Sequence, residues 1–276
     1  MNLWLHLINT IESIFVKNKP MRYDKMKNLI LFIFILSLVS LFTACDSDDC
    51  CEPEPSSEVS EMTISINHVI GESELTFNSE YILPSNETVT FRRLSYLLSN
   101  MYLVKSDDSK VMIEDTYAFI NAANGNNTVT LSGVPKGDYK AIGLSIGLDS
   151  NINHGNPNVY SSNHPLAPIN NSLHWSWQGG YIFTAIEGKT MADNESFIFH
   201  LAGAPNRLDL ELPFTFTKGE AALTANLKYD LNEVFINPEM YSISADGAST
   251  HSISDPITAK LIGNMVDVLS VISVNE

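Results

Sequence analysis

The feature that most constrains the fold of this chain is the alternation of apolar and polar residues in short segments. In residues 62–70, MTISINHVI, the even positions hold apolar residues and His68, while 63, 65 and 67 are polar. A period of two is typical of a strand that buries one face. Similar segments recur to the C-terminus between Gly, Asn and Asp turns, among them SNMYLVK, NTVTLSGV, GYIFTAIEG, ESFIFHLAG and RLDLELPFTFT. The pattern predicts an all-β fold, either an antiparallel β-sandwich or a barrel-like domain.

One short helix is predicted near the C-terminus. Asp255 is a good N-cap, and Pro256 suits the first helical position. Helical spacing then continues through apolar residues, namely Ile257, Leu261, Ile262, Met265 and Leu269.

Residues 149–173 interrupt the strand pattern with a stretch rich in Asn, Ser and Pro. Loops of this length inside a domain are usually functional or disordered. Its first residues, Asp149, Asn151 and Asn153, alternate like the first ligands of a calcium-binding EF-hand. However, the required glycine arrives one place late, at Gly155, and no glutamate stands at the twelfth position. Calcium is therefore the weaker metal hypothesis.

The N-terminal region resembles a lipoprotein signal peptide. Two lysines precede an apolar run that ends in small residues and Cys45, and the run is shorter than the roughly 20 residues of a membrane-spanning helix. We predict a signal region over 1–44 and a lipid on Cys45. Initiation is expected at Met21 or Met26, which would leave residues 1–20 untranslated.

Residues 45–60 are acidic and poor in apolar side chains, which predicts a flexible tether before a folded domain over 61–276. The acidic run after Cys45 resembles surface-export signals of Bacteroidetes lipoproteins. We therefore expect an outer membrane lipoprotein that is held to the membrane by its lipid and faces the periplasm or the cell surface.

The charge balance excludes some classes of partner. Residues 1–44 contain five of the 16 basic and two of the 32 acidic residues, so the mature chain keeps 11 basic and 30 acidic residues, a net charge of −19. Such a chain is not expected to bind nucleic acid or anionic membrane surfaces, but it is compatible with cations.

No catalytic motif is present. The sequence lacks G-x-S-x-G, H-E-x-x-H and a phosphate-binding glycine loop. An enzymatic function is therefore not expected.

Histidines and tryptophans are the better candidates for a site. His68 lies on the apolar face of its predicted strand, where an imidazole needs either a hydrogen-bond partner or a metal. His200 ends the apolar segment FIFH, and His174 precedes Trp175 and Trp177 in HWSW. The two tryptophans share one face of a strand. They can form an aromatic part of the core, a platform for sugar stacking, or part of a metal site.

Several motifs resemble the MbnP-like family, which includes CorA-type copper-binding proteins of methanotrophs. The strongest are LHWSWQGGYIFTAIEG at 173–188 and FIFHLAG at 197–203. The similarity continues in INHVIGESELTF, LSYLLSNMYLV, GVPKGDYKAIGLSIGLDSN and AKLIGNMVDVLSV, so that it covers about 62–276.

The resemblance implies a β-sandwich-like periplasmic or surface protein associated with methanobactin systems. Copper would be held by histidines and by kynurenine, which a di-haem cytochrome c peroxidase-like partner makes from a tryptophan. The matching positions are His68 and His200 as ligands and Trp175 or Trp177 as the modified residue, with His174 as a further candidate ligand. Kynurenine carries an aryl amine, whereas intact indole offers only an N–H donor.

The sequence therefore predicts a lipid-anchored copper-binding protein for copper acquisition or delivery. Two alternatives remain at this stage: a structural or interaction lipoprotein that binds no metal, and a surface carbohydrate-binding module that uses Trp175 and Trp177.

Overall fold

The computed structural model of the 276-residue chain describes residues 59–176 and 179–276. The predicted signal region, the lipidation site Cys45, the tether up to residue 58 and Trp177 lie outside the described residues.

The described part of the chain forms fifteen strands, and the first begins at Val59. The strands are β1 (Val59–Ile70), β2 (Ser73–Glu74), β3 (Glu80–Ile82), β4 (Thr88–Lys105), β5 (Lys110–Met112), β6 (Ala118–Asn121), β7 (Thr128–Pro135), β8 (Gly137–Ile146), β9 (His174–Ser176), β10 (Gly180–Thr190), β11 (Ser196–Ala202), β12 (Leu208–Lys218), β13 (Leu223–Asp230), β14 (Ser249–Thr250) and β15 (Leu269–Asn275).

Four α-helices accompany the strands in the described residues: α1 (Ser150–Asn153), α2 (Pro168–Asn171), α3 (Ile243–Asp246) and α4 (Pro256–Asn264). Helix α4 is the predicted one. Asp255 caps it by accepting a hydrogen bond from the backbone N–H of Ile257, and Pro256 occupies its first turn. None of the helices in these residues is long and apolar enough to cross a membrane.

The strands form two sheets. The first has the order β15-β13-β1-β2, with β7 also paired to β1. The second has the order β12-β8-β4-β10-β11-β14, and β3, β5 and β6 also pair with the long strand β4, while β9 pairs with β10. The predicted all-β, sandwich-like class is confirmed. Two pairs of the described strands, β1 with β13 and β11 with β14, are parallel. A hairpin cannot connect parallel strands, and the members of each pair lie far apart in the chain.

The main core lies between the two sheets. It contains the alternating residues of β1 together with one face of β4 and β10, including Met62, Ile64, Phe91, Tyr96 and Ile186. The period of two read from the sequence thus corresponds to burial on one side of each strand.

A second apolar cluster covers the opposite face of the second sheet, which we call the outer face. Its members come from the sheet and from residues 148–173, namely Leu97, Phe119, Leu148, Leu166, Leu173, Tyr181, Ile182, Phe183 and Ala185. The long irregular segment is therefore anchored: Leu166 and Leu173 are fully buried, and the Tyr181 hydroxyl donates to the Leu166 carbonyl. Strand β9 follows this anchored segment directly.

Candidate metal centre

Parallel pairing of β11 with β14 brings two histidines together. Ile198 is paired with Ser249 and Phe199 with Thr250, so one further step of the register sets His251 beside His200. The centroids of the two imidazole rings are 4.9 Å apart at an interplanar angle of 72°. His200 is mostly buried, whereas His251 is exposed, so the pair lies at the surface end of the outer face.

Trp175 completes this group from β9. Its ring centroid lies 6.4 Å from that of His200 and 6.5 Å from that of His251. The indole is half-buried and packs against the second apolar cluster. We call Trp175, His200 and His251 the Trp-His-His cluster.

Glu187 orients the buried histidine. Ala185 is paired with His200, and Glu187 is paired with Ile198, two residues further along the same face. Glu187 therefore lies diagonally across from His200 on the outer face. The Nε2 of His200 donates to Glu187 Oε1 over 3.1 Å, and Arg93 Nη1 donates to the same oxygen over 3.0 Å. The Nδ1 of His200 is buried and has no hydrogen-bond partner among the described residues.

Electrostatics favour a neutral imidazole beside an ionised carboxylate. Burial lowers the pKa of His200, and the hydrogen bond and charge of Glu187 offset this only in part. Burial opposes ionisation of Glu187, yet hydrogen bonds from His200 and Arg93 hold the pKa of its carboxyl below the usual value. With its proton on Nε2, His200 presents the lone pair of Nδ1.

This arrangement fits a metal. A histidine ligand commonly donates its second ring N–H to a carboxylate, which fixes its tautomer and orientation. His200 and Glu187 show this arrangement, and His251 supplies a second imidazole. No group of three or more His, Cys, Asp or Glu side chains within the described ranges forms a complete site. Trp175 is the neighbour of both histidines.

His68 lies elsewhere. It is 6% exposed in the main core, where its Nε2 is 2.9 Å from the Tyr96 hydroxyl and its ring lies against Tyr229. Tyr96 faces the main core, whereas the adjacent Ser95 is in register with Ala185 and His200 on the outer face. The sheet thus separates His68 from His200. A buried imidazole needs either a hydrogen-bond partner or a metal, and His68 has the Tyr96 hydroxyl as its hydrogen-bond partner.

His174 lies beside the cluster rather than in it. Its ring contacts Tyr181 edge-on, with the centroids 4.6 Å apart, and its buried Nε2 has no hydrogen-bond partner in the described part of the chain. Burial lowers the pKa of His174. Trp177, the other candidate for modification, lies outside the described residues.

The weak calcium motif has protein partners for two of its oxygen ligands. Asp149 forms an ion pair with Arg207, and buried Asn153 accepts a hydrogen bond from the backbone N–H of Tyr181 over 2.8 Å. The segment between them is helix α1 rather than an extended ligand loop.

Sequence reasoning missed His251, Glu187 and Arg93. His251 follows a two-residue strand with no periodicity of its own, and its partner strand lies some fifty residues earlier. Glu187 was detectable in principle, because it is the one charged residue in the apolar segment GYIFTAIEG.

A family model and a solved structure both match this chain. The family model MbnP matches residues 59–253. Among solved structures, MbnP from Methylosinus trichosporium is similar, with a TM-score of 0.54 and 15% sequence identity over 79% of this chain and 98% of that chain. No curated protein sequence matches the chain.

Proposed function

Because the chain belongs to the MbnP family, we propose that it binds one copper ion at the Trp-His-His cluster. The observation that carries the proposal is the buried Nδ1 of His200, which has no partner in the part of the chain that the structure describes, while Glu187 accepts a hydrogen bond from the opposite nitrogen. A buried polar atom without a partner is costly unless a ligand satisfies it. His251 supplies a second imidazole next to it.

The type of donor favours copper. Imidazoles suit copper and zinc, and a weak neutral nitrogen in place of a hard carboxylate favours the reduced copper ion. Bound copper would supply a redox-active or transferable soft cation. The chain itself provides the two imidazoles, the carboxylate that orients one of them and the apolar cluster beneath.

We propose that Trp175 is converted to kynurenine, since its ring is next to those of both histidines. Oxidation would insert two oxygen atoms across the C2–C3 bond of the indole and give N-formylkynurenine. Hydrolysis would then release formate and leave an aryl amine. The oxygen atoms would come from two molecules of hydrogen peroxide, each of which gives up one oxygen atom and leaves as water, and a partner haem enzyme of the di-haem cytochrome c peroxidase-like type would catalyse the reaction.

The remaining predictions about location and role belong to the same proposal. A lipid on Cys45 would hold the domain at the outer membrane, facing the periplasm or the cell surface. The role would be copper acquisition or delivery rather than catalysis, because the cluster offers metal ligands but no nucleophile.

Sugar stacking is the less favoured alternative. A stacking platform needs exposed aromatic faces, whereas Trp175 is half-buried against the second apolar cluster and the two histidines. A purely structural role for the cluster is the other alternative, and the experiment below separates it from copper binding.

The test combines metal analysis with mass spectrometry of the full-length protein purified from its producing cells after copper-replete growth. We expect near-stoichiometric copper and a peptide containing Trp175 that is heavier by about 4 Da, the net result of adding two oxygens and losing the formyl group. His200→Ala and His251→Ala should each lose the copper. His154→Ala is the matched control, because His154 is exposed and contacts none of the cluster residues.

Copper retained by both cluster variants would rule out this site. A modification found on Trp177 alone would contradict the assignment of kynurenine to Trp175. Wild-type protein with neither copper nor modification would make the chain a family member in fold only.

A further inference from the structure

A β-bulge turns two adjacent arginines to the same side of the second sheet. Phe91 is paired with Gly188 and Arg93 with Glu187, so Arg92 is an extra residue opposite β10. Phe91 and Leu94 both face the main core, which leaves Arg92 and Arg93 together on the outer face. Bulges often re-aim side chains in this way next to functional sites.

The two arginines border an open cavity beside the Trp-His-His cluster. Its volume is about 580 Å³, within the range of small-molecule sites. Glu187 forms part of the wall toward His200, and the rest of the wall is mainly polar, with Ser95, Asn121, Asn170 and Ser172.

The arginines differ in how they are engaged. Arg93 donates to Glu187 and, over 3.4 Å, to the carbonyl of Ser172, which ties α2 to the sheet. The side chain of Arg92 is exposed and makes no hydrogen bond or ion pair with any residue in the described ranges. The side-chain oxygen of Asn121 also has no partner there. The cavity is therefore bordered by one guanidinium that no described residue neutralises.

We propose that this cavity binds a small organic carboxylate. Acidic residues outnumber basic ones by 32 to 16 in this chain, and Arg92, which has no side-chain partner among the described residues, brings a positive charge to a polar cavity. A guanidinium presents a planar set of donors that matches a carboxylate in a bidentate manner. The cavity is much larger than a single inorganic anion, so the charged group belongs to an organic molecule.

Binding of the carboxylate does not depend on copper, although Glu187 and Arg93 belong to both the cavity wall and the support of His200. The test therefore uses metal-free protein, so that its failure and the failure of copper binding can be told apart.

The experiment titrates the metal-free full chain with glutarate, with its neutral diamide glutaramide and with inorganic phosphate. Heteronuclear NMR follows the Arg92 Nε–H and the Asn121 side-chain amide, and calorimetry gives the affinities. We expect saturable binding of glutarate, weaker binding of phosphate and none of glutaramide. Arg92→Gln should weaken glutarate binding by about tenfold or more, because it removes a charge-assisted bidentate contact.

Lys110→Gln is the matched control. It removes one positive charge from the same sheet at an exposed position outside the cavity wall, and glutarate affinity should stay within about twofold of the wild-type value. Equal weakening by both variants would indicate non-specific attraction and overturn the proposal. Failure to bind glutarate, or equal affinity for glutaramide, would also overturn it. Tighter binding of phosphate than of glutarate would contradict the assignment to a carboxylate.

Discussion

Glu187 links His200 of the cluster to Arg93, since its Oε1 accepts a hydrogen bond from each of them. It contacts the proposed metal only through His200 and is therefore a positioning residue. Replacement of a residue in this role typically lowers metal affinity by about 10- to 100-fold.

We predict that Glu187→Gln lowers copper affinity by about 10- to 100-fold while the protein stays folded. The amide keeps an acceptor oxygen but loses the charge that favours the Nε2–H tautomer of His200. Competition with a copper chelator measures the affinity, and nitrogen NMR of His200 measures the tautomer, which a purely structural role would leave unchanged. Glu211→Gln, which removes an exposed carboxylate paired with Lys110, is the control. Unchanged affinity together with an unchanged tautomer would remove Glu187 from the site.

His68 makes stability depend on pH. Burial lowers its pKa from 6.5 to about 4, so between these values an unfolded chain binds a proton that the folded chain does not. Stability from this residue is complete above about pH 6.5 and decreases as the pH falls toward 4, by about 3 kcal/mol in total.

We therefore predict that, between pH 7 and pH 4, the unfolding free energy of His68→Gln falls by about 3 kcal/mol less than that of the wild type. Urea denaturation at a series of pH values measures the difference between the two proteins. His154→Gln, at an exposed position, should keep the wild-type profile. Identical profiles for wild type and His68→Gln would contradict the assignment.

At the scale of elements, the pairing of β9 with β10 holds Trp175 against the two histidines. Gly180 begins β10 with φ +67°, and a Cβ there would lie 2.5 to 2.7 Å from side-chain atoms of Asn153. Asn153 in turn accepts the backbone N–H of Tyr181, so helix α1 and the start of β10 are joined at this point. Only glycine meets both requirements without strain.

Gly180→Ala is predicted to lower the unfolding free energy by about 1 to 3 kcal/mol, from left-handed backbone strain plus the contact with Asn153. It should also reduce copper occupancy, because β9 carries Trp175. Gly219→Ala is the matched control: no atom lies within 4 Å of its added Cβ, and its backbone is not left-handed. Chemical denaturation measures the unfolding free energies of both variants. Equal values would show that the pairing of β9 with β10 tolerates a side chain at position 180.

At the scale of the whole molecule, the second sheet carries apolar clusters on both faces. The main core faces the first sheet, while the second apolar cluster is closed by residues 148–173 and supports Trp175. Stability is shared between the two faces, but only the outer face supports the candidate metal centre.

A pair of identical substitutions tests this division. Leu166→Ala on the outer face and Leu144→Ala in the main core each remove a fully buried leucine, and each should cost about 2 to 5 kcal/mol. Copper affinity of the folded protein should fall in Leu166→Ala and stay near wild type in Leu144→Ala. An equal fall in both would show that the centre depends on overall stability rather than on the outer cover.

Several features were predictable from the sequence because they depend on neighbouring residues. Alternation along β1 and β12 predicted strands with one buried face, and Asp255 with Pro256 predicted the start of α4. The motifs around Trp175 and His200 indicated the family, and the match to residues 59–253 confirms that identification. Strand period and helix capping act over a few residues, so a single segment contains the information.

Only the tertiary structure decided which of these residues meet. His68 and His200 both follow apolar strand patterns, yet the second sheet places them on opposite faces. His251 reaches His200 through a parallel pairing between strands some fifty residues apart, and the bulge at Arg92 sets which arginines face the cavity. Such long-range register depends on how two complete sheets and the covering segment pack together, and no local pattern in the chain encodes it.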